Sequence, residues 1–309
     1  MNNQTSAYPH PGMMERKTFL VQSLKAMGGI ALLSGPAAFT ESFSLLKKEY
    51  TVGEIMDNII KEVPGTPIKQ TVDTLKSGSP DQKVTGIVTT MFSTIAVIEQ
   101  AKALNANFII AHEPTYYNHE DNKNWVNNNK VQQQKQALLE KYQIAVWRFH
   151  DYCHRLQPDA ISYGVAKKTD WLSYYKAGNS ILEIPDISLG KLIVHLKTSL
   201  GIAHLRVIGN MEQSCKRIAL LPGAWGGAMQ VTIAESQKPD VMIVGELQEW
   251  ETAEYIRDAQ SFGKPISLIV LGHAQSEEPG MEWVAEWLQP KFPGISIKHI
   301  ASGNPFTWV

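Results

Sequence analysis

The sequence predicts an α/β protein with mixed, largely parallel sheets and a metal site at the carboxyl ends of strands. Three observations predict this class. Short apolar segments rich in β-branched residues alternate with longer segments of helical periodicity. The connections between them are tight, which implies parallel strands joined by right-handed crossovers. Histidines and carboxylates directly follow three of the apolar segments, and the carboxyl ends of parallel strands share one edge of a sheet.

The first half of the chain contains three rounds of helix and strand. Apolar residues recur at helical intervals before Pro64 and Gly65, and Ser93 is a plausible helix cap. The predicted elements, in order, are a helix at residues 51–63, a strand at 84–92, a helix at 93–105, a strand at 107–114, a Gln- and Lys-rich helix at 127–143 and a strand at 144–149 that runs into a polar cluster at 150–154.

The second half repeats the pattern of strand, glycine turn and helix. Residues 166–263 contain enough of these elements for a second α/β layer or domain. Residues 265–292 then predict a strand, a loop and a helix with Pro279 near its start. A last strand is predicted at residues 295–300.

Charge argues against a polyanionic partner. The chain has 309 residues and a formal net charge of −1, so no overall field attracts nucleic acid or an anionic membrane. We expect a small-molecule substrate that is recognised locally. The two cysteines, Cys153 and Cys215, are expected to be free thiols rather than a disulfide scaffold, although pairing stays open if the protein is exported.

The N-terminus has the layout of an export signal. Arg16 and Lys17 precede a weakly apolar run that ends in small residues. The segment resembles a twin-arginine signal in which Lys17 replaces the second arginine. We predict an export segment at residues 1–45 and a periplasmic protein; the alternative is an amphipathic or disordered tail on a cytoplasmic one. No later segment reaches the ~20 apolar residues of a membrane span.

Possible metal ligands occur in three clusters, each after a predicted strand. Neutral imidazole and carboxylate are the usual ligands of zinc, manganese or iron, and a carboxylate can bridge two such cations. Taken singly, each cluster fits an ordinary hydrogen-bonded loop, and their coincidence at three strand ends favours a centre of two divalent metals. The clusters are His112 with Glu113, His150 with Asp151 and His154, and His273 with Glu277.

Other motifs are weaker. The glycine-rich "GAWGG" after a predicted strand lacks the lysine of a P-loop, so it predicts a tight strand-to-helix turn more readily than a phosphate site. No G-x-S-x-G elbow is present, which disfavours a Ser-His-Asp hydrolase of the α/β class. His119 is near enough to His112 in sequence to support a ligand.

Several motifs together resemble one known family. They are "TVGEIMDNII", "VIEQAKALNANFIIAHEP", "RIALLPGAWGGAM", "PDVMIVGELQEWETAEYIRDA", "LGHAQSE" and "ASGNPF". The family is that of dinuclear-metal proteins related to NGG-interacting factor three, which includes homologues of a GTP cyclohydrolase type two, and this chain resembles an exported variant. The match covers residues 51–309.

The resemblance implies a set of site residues. His112, His273 and Glu277 match metal ligands of the family, and Glu113 stands where a second histidine is usual. The family's central aspartate has no direct counterpart, so the resemblance favours Asp151 as the bridging carboxylate and His154 as a further ligand, with His150 also a candidate. Glu246 and Glu249 match positions that face the cavity and are candidates for substrate contact or proton transfer.

The resemblance also implies an architecture and an activity. Residues 46–165 and 264–309 would form a metal-binding α/β domain, residues 166–263 a second α/β domain, and the subunits a hexamer. We expect a hydrolase in which a metal-bound water attacks a nucleotide-like or cyclic amide substrate. The alternative is a metal-stabilised, ring-forming binding protein without turnover.

Overall fold

Two five-stranded sheets carry the fold in the computed structural model, which describes residues 48–126 and 128–309. Helices and mostly parallel strands are interleaved, so the predicted α/β class is confirmed. The predicted export segment, residues 1–45, lies outside the described residues. In the described part of the chain, no helix has the length and apolar character needed to cross a membrane.

The first sheet places β3 at its centre, in the order β1-β4-β3-β2-β10. All of its neighbouring strands are parallel except β1 and β4. In this sheet Ala111 at the end of β3 pairs with Arg148 at the end of β4, so the segments that follow leave the sheet side by side. The strands are β1 (Leu75–Ser77), β2 (Gly86–Thr90), β3 (Phe108–Ala111), β4 (Ala145–Arg148) and β10 (Ser296–His299).

The helices of this part begin at side-chain caps. Thr51 and Glu54 form a capping box at the first helix. Thr94, one residue beyond the predicted Ser93, caps the second helix by accepting the N–H of Val97. The helices are α1 (Val52–Ile60), α2 (Ile95–Ala103), a 3₁₀ helix (Asn124–Val126), α3 (Lys130–Lys141), α4 (Asp151–Arg155) and α5 (Ala160–Lys168).

The second sheet has the order β5-β7-β8-β9-β6. Its three central strands are parallel, and the two edge strands run antiparallel to them. The strands are β5 (Ile181–Ser188), β6 (Arg206–Ile208), β7 (Ser214–Leu221), β8 (Val241–Val244) and β9 (Ser267–Val270). The helices are α6 (Leu189–Leu200), α7 (Gly227–Gln237), a π-helix (Glu249–Ala253) and α8 (Glu254–Ser261).

The central strands are buried on both faces. In β3, Phe108 and Ile110 join one hydrophobic cluster while Ile109 joins another on the opposite face. This explains why these strands are continuous apolar runs rather than alternating patterns. Cys153 and Cys215 are buried and free, as expected.

The last helix, α9 (His273–Leu288), begins earlier than predicted. Gly272 has φ +99°, which lets the chain turn from β9 directly into the helix. The prediction that Pro279 lies near the helix start is therefore wrong, because Pro279 lies inside it. As a result, His273 and Glu277 lie one turn apart on the same helical face.

The expected boundary at residue 264 does not separate the two sheets. We expected the strand Ser267–Val270 in the metal-binding part. It instead pairs in parallel with β8 of the second sheet, along its whole length. The chain returns to the first sheet only through α9 and β10. Glu49–Val309 form a single compact unit, and the division into two domains stays a prediction.

Candidate metal centre

The aligned ends of β3 and β4 bring the first two predicted clusters together. His112 and Glu113 follow β3, and His150 follows β4 after one intervening residue. His112 and His150 stack with ring centroids 4.8 Å apart. His154, on α4, lies with its ring centroid 5.0 Å from each of them. Three histidines from two segments therefore form one imidazole cluster.

His112 is fully buried and forms a hydrogen bond through only one of its nitrogens. Its Nδ1 lies 3.0 Å from the carbonyl oxygen of Phe149, which can only accept, so Nδ1 carries the proton. Its Nε2 is buried and lies 3.7 Å from Oε2 of Glu277, but it has no hydrogen-bond partner among the described residues. Burial, together with the neighbouring His154 and His150, holds the pKa of His112 well below its usual value. A neutral imidazole with an unpartnered buried lone pair fits a metal ligand.

The other two imidazoles are oriented in the same way. Nδ1 of His150 lies 3.0 Å from Oδ1 of Asp151, and Nδ1 of His154 lies 2.9 Å from Oδ2 of Asp159. In both rings, Nε2 is left without a hydrogen-bond partner in the described structure. A carboxylate bonded to the far nitrogen is the usual support of a histidine ligand. The three histidines lie close enough to hold one cation.

Asp73 fixes the turn that carries His150. Its carboxylate accepts the backbone N–H groups of His150, Asp151 and Tyr152 at 2.8–3.0 Å. These are the unpaired donors at the start of α4. Asp73 is buried, and burial raises its pKa to about 6 although the three N–H groups oppose that change.

The two carboxylate oxygens of Glu113 contact different groups: one contacts an arginine and the other faces the histidines. Oε2 lies 3.2 Å from the Nη2 of Arg148, a fully buried side chain at the end of β4. Oε1 lies 3.1 Å from Nε2 of His273 and 3.9 Å from Nε2 of His150. Burial raises the pKa of Glu113. The bond to His273 and the charges of His273, His150 and Arg148 lower it by more, so the pKa of Glu113 lies below its usual value. Glu113 is therefore an anion that faces the imidazoles.

His273 lies among three carboxylates. Its Nε2 is 3.1 Å from Glu113 and 3.0 Å from Glu277, and its Nδ1 is 3.1 Å from Glu246. Burial lowers the pKa of His273, but these three bonds outweigh burial and raise the pKa to about 12. With this pKa, His273 carries a proton on Nε2 at neutral pH. A divalent cation bound at Nε2 would replace that proton and neutralise the same carboxylates.

Glu277 approaches the backbone of the glycine-rich turn. A Cβ on Gly223, which has φ +76°, would lie 2.0 Å from Oε1 of Glu277. The N–H of Gly223 also donates to Oγ of Ser276 at 2.9 Å. The "GAWGG" segment is thus the predicted turn from β7 into α7, and its first glycine leaves room for the carboxylate of Glu277.

A cavity of about 1260 Å³ opens onto these residues. Its walls include Glu113, His150, His154, His273 and Glu277. His112 lies behind this surface, and together with Glu113 and Glu277 it forms a second group close enough to hold a cation.

Three predicted residues do not join the cluster as expected. Asp151, expected to bridge two cations, lies behind His150, because its Oδ2 accepts from Thr71 Oγ1 and the backbone N–H of Val72. Glu249 is mostly exposed and pairs with Arg206 on the surface. Glu246 reaches the site only through Nδ1 of His273.

The sequence interpretation missed four residues that shape the site. Arg148 carried a signal, since a charged residue within a buried strand needs a partner. Asp73 and Lys135 carried none, because their roles depend on contacts with distant segments. Asp159 acts locally, since it caps α5 and its carboxylate bonds Nδ1 of His154. The ring of His119 lies 5.8 Å from that of His150, and its predicted support of a ligand stays a prediction.

Comparison with known proteins places these features in context. The model of the family described as Duf34/NIF3 (NGG1p interacting factor 3) matches residues 58–305. A Clostridium perfringens protein named GTP cyclohydrolase 1 type 2 homolog is 22% identical over 267 residues, which are 82% of this chain and 97% of that protein.

Solved structures share the fold. A hypothetical protein of Staphylococcus aureus aligns with a TM-score of 0.66 and 19% identity, over 84% of this chain and 99% of the other. A Bacillus cereus protein related to NIF3 aligns with a TM-score of 0.66 and 15% identity, over 85% of this chain and 100% of the other.

Proposed function

The chain belongs to the Duf34/NIF3 family, and we propose that it is a divalent-metal-binding hydrolase of small molecules. The buried, unpartnered Nε2 of His112 is the observation that carries this proposal. A buried polar atom without a partner is costly, and a bound cation would satisfy it.

A first cation would bind at Nε2 of His112, His150 and His154. Each ring already bonds an oxygen at Nδ1, which leaves the same nitrogen free in all three. Since one Nε2 serves one cation, a second cation would depend on Glu113, His273 and Glu277. We propose zinc, manganese or iron, because mixed imidazole and carboxylate ligands suit these metals.

The chain's own residues would position and protect the reaction. When bound, a divalent cation supplies an acidified water and polarises a carbonyl or phosphoryl oxygen. Asp151 and Asp159 hold two imidazoles in the required tautomer. Glu246 holds His273 through Nδ1, so we assign it a positioning role rather than proton transfer. Glu249 has no role in this proposal because it lies on the surface.

Metal analysis tests the proposal directly. Protein purified without added metal or chelator should contain about two equivalents of a transition metal per chain, and His112→Ala should lose at least one. His195→Ala is the control, because His195 bonds Thr169 O in the second part of the chain. Unchanged metal content in a variant with both His112→Ala and His273→Ala would refute the proposal.

Substrate screening decides between a hydrolase and a binding protein. The name of the Clostridium perfringens relative makes nucleotide-like and cyclic amide compounds the first class to test. The binding alternative draws support from the two predicted catalytic carboxylates, of which Glu246 is bonded to His273 and Glu249 to Arg206. Metal-dependent product supports the hydrolase, and affinity without product supports the alternative.

Export and assembly are separate proposals. We propose that residues 1–45 direct export to the periplasm, which N-terminal sequencing of protein from that compartment would test. We also propose a hexamer from the family resemblance. Light scattering coupled to size-exclusion chromatography measures its mass.

A further inference from the structure

Lys135 is a buried cation without a counter-ion. It lies on α3 and is 5% exposed. Its Nζ donates to the carbonyl oxygen of Thr115 at 2.8 Å, and no carboxylate of the described residues forms an ion pair with it. Lys76, whose side chain is also buried, differs because it lies 3.9 Å from Oδ2 of Asp121.

Asp121, the acid whose charge acts on Lys135, has other partners. The carboxylate of Asp121 accepts the backbone N–H groups of Thr115 and Tyr116 at 2.9 and 2.6 Å. Burial lowers the pKa of Lys135 to about 8, and the charge of Asp121 opposes that change. At neutral pH the ammonium group is still mostly protonated. It has three N–H donors and uses one of them on Thr115.

Lys135 faces the same cavity as the candidate metal ligands. It is the one lysine or arginine among the described residues that line this cavity. Thr115 lies two residues after Glu113, a stretch of chain that spans at most about 7 Å. The ammonium group, which bonds Thr115, is therefore close to the metal side of the cavity.

The cavity also has an apolar wall. Phe92, Ile95 and Trp225 line it. Trp225 is 41% exposed, and its indole N–H already donates to Pro222 O at 2.9 Å, so the ring needs no further polar partner. Such a wall suits the apolar or planar body of a small molecule.

We propose that Lys135 binds an anionic group of the substrate, a carboxylate or a phosphate, while the wall at Trp225 contacts its apolar body. The Thr115 carbonyl and the Tyr117 ring, whose centroid lies 5.4 Å from Nζ, contact this charge but do not neutralise it. A buried charge without an opposite charge is expensive, and an anion in the cavity would supply one. The proposal rests on the proposed function in that it places this anion beside the reaction centre. The substrate is then a small organic anion.

The test measures binding of simple anions by calorimetry. The probes are benzoate and phenylphosphonate, whose C–P bond resists hydrolysis, with neutral benzamide as the control ligand. The full-length protein is used both metal-loaded and after treatment with chelator. The variants are Lys135→Met and Lys135→Arg, with Lys76→Met as the matched buried lysine that does not line the cavity.

We expect the chelator-treated wild type to bind at least one anion, and the preferred probe identifies the carboxylate or phosphate class. Lys135→Met should weaken that binding about tenfold or more. Lys135→Arg should stay within about threefold because it keeps the charge. Lys76→Met should bind as the wild type does, and benzamide affinity should not depend on residue 135.

Two results would overturn the proposal. One is equal anion affinity in Lys135→Met and wild type. The other is anion binding that occurs only in the metal-loaded protein, since the cation alone would then hold the anion. The measurement on chelator-treated protein needs neither metal nor turnover. It therefore tests anion binding by Lys135 even if the protein is not a hydrolase.

A second measurement avoids substitution. Amine acylation of the wild type, mapped by mass spectrometry, should show that the bound anion protects Lys135 but not exposed lysines such as Lys216. Equal acylation of Lys135 with and without the anion contradicts the proposal even if a variant fails to fold.

Discussion

At the scale of single residues, the orientation of three imidazoles defines the site. His112, His150 and His154 each bond an oxygen through Nδ1 and leave Nε2 without a hydrogen-bond partner in the described structure. The oxygens come from a strand end, from the start of α4 and from the cap of α5. The chain therefore sets the tautomers before any cation binds.

The charge of Lys135 should reduce stability in a pH-dependent way. Its pKa is about 8 in the folded protein and about 10.5 when unfolded, so the folded state disfavours the charged form. The full penalty, on the order of 3 kcal/mol, applies below pH 8 and disappears as the pH rises toward 10.5. Lys135→Met should thus unfold at higher urea than wild type at pH 7, with a smaller difference at pH 10.

Denaturation of both proteins at the two pH values measures this difference, with Lys216→Met, at an exposed lysine, as the control. A wild type that is more stable than Lys135→Met at pH 7 would show that the bond to Thr115 outweighs the cost of the buried charge.

The pair of Arg148 and Glu113 should be strongly coupled. Arg148→Met removes the buried cation at Oε2 of Glu113 and leaves only the bond to His273 at Oε1, so it should reduce the free energy of unfolding by about 3 kcal/mol or more. Adding Glu113→Gln removes the carboxylate charge that Arg148 no longer balances and should recover part of that loss. Urea unfolding of the chelator-treated proteins gives the coupling energy, and purely additive losses would contradict this account.

At the scale of elements, the turn from β7 into α7 shapes the metal side of the cavity. Gly223 and Gly226 both have positive φ, +76° and +74°. A Cβ on Gly223 would collide with Glu277, whereas a Cβ on Gly226 would meet nothing within 4 Å. The two positions share backbone strain but differ in their neighbours.

This pair allows a matched experiment. Gly223→Ala and Gly226→Ala should each lose about 1–2 kcal/mol of stability, because alanine disfavours the left-handed region. Only Gly223→Ala should also displace Glu277 and lower the metal content. Thermal unfolding and elemental analysis measure the two effects, and equal metal content in both variants would show that Glu277 is not needed for binding.

At the scale of the whole molecule, α9 links the two sheets. It begins directly after β9 of the second sheet and packs against β2 and β10 of the first. It also crosses α5 closely, since a Cβ on Gly164 would lie 2.4 Å from the carbonyl oxygen of Pro279. One helix therefore carries His273 and Glu277 and contributes to the core of the first sheet.

This connection predicts cooperative unfolding. Residues 49–309 should unfold in one transition, because loosening α9 exposes apolar surface on the first sheet and disrupts the end of the second. Circular dichroism and tryptophan fluorescence should give the same midpoint in urea. Two separate midpoints would instead favour two independent domains.

The sequence alone determined the fold class and the main histidine clusters. Apolar runs, caps and glycine turns act locally, so most strands and helices were predicted within a few residues. The rule that parallel strands end at one edge was enough to pair His112 with His150. The start of α9 was predicted wrongly. Pro279 suggested a helix start near residue 279, but the turn at Gly272 lets the helix begin at His273, six residues earlier.

Only the tertiary structure decided which atoms face the site. Asp151 turns toward Thr71 and Glu249 toward Arg206, although both stand in promising motifs. In the sequence, Lys135 resembles any lysine of a polar helix. Only the fold shows that its side chain is buried and forms no ion pair with a carboxylate of the described residues. These outcomes depend on contacts between residues far apart in the chain, and no local pattern encodes the direction of a side chain or the charge left unpaired around it.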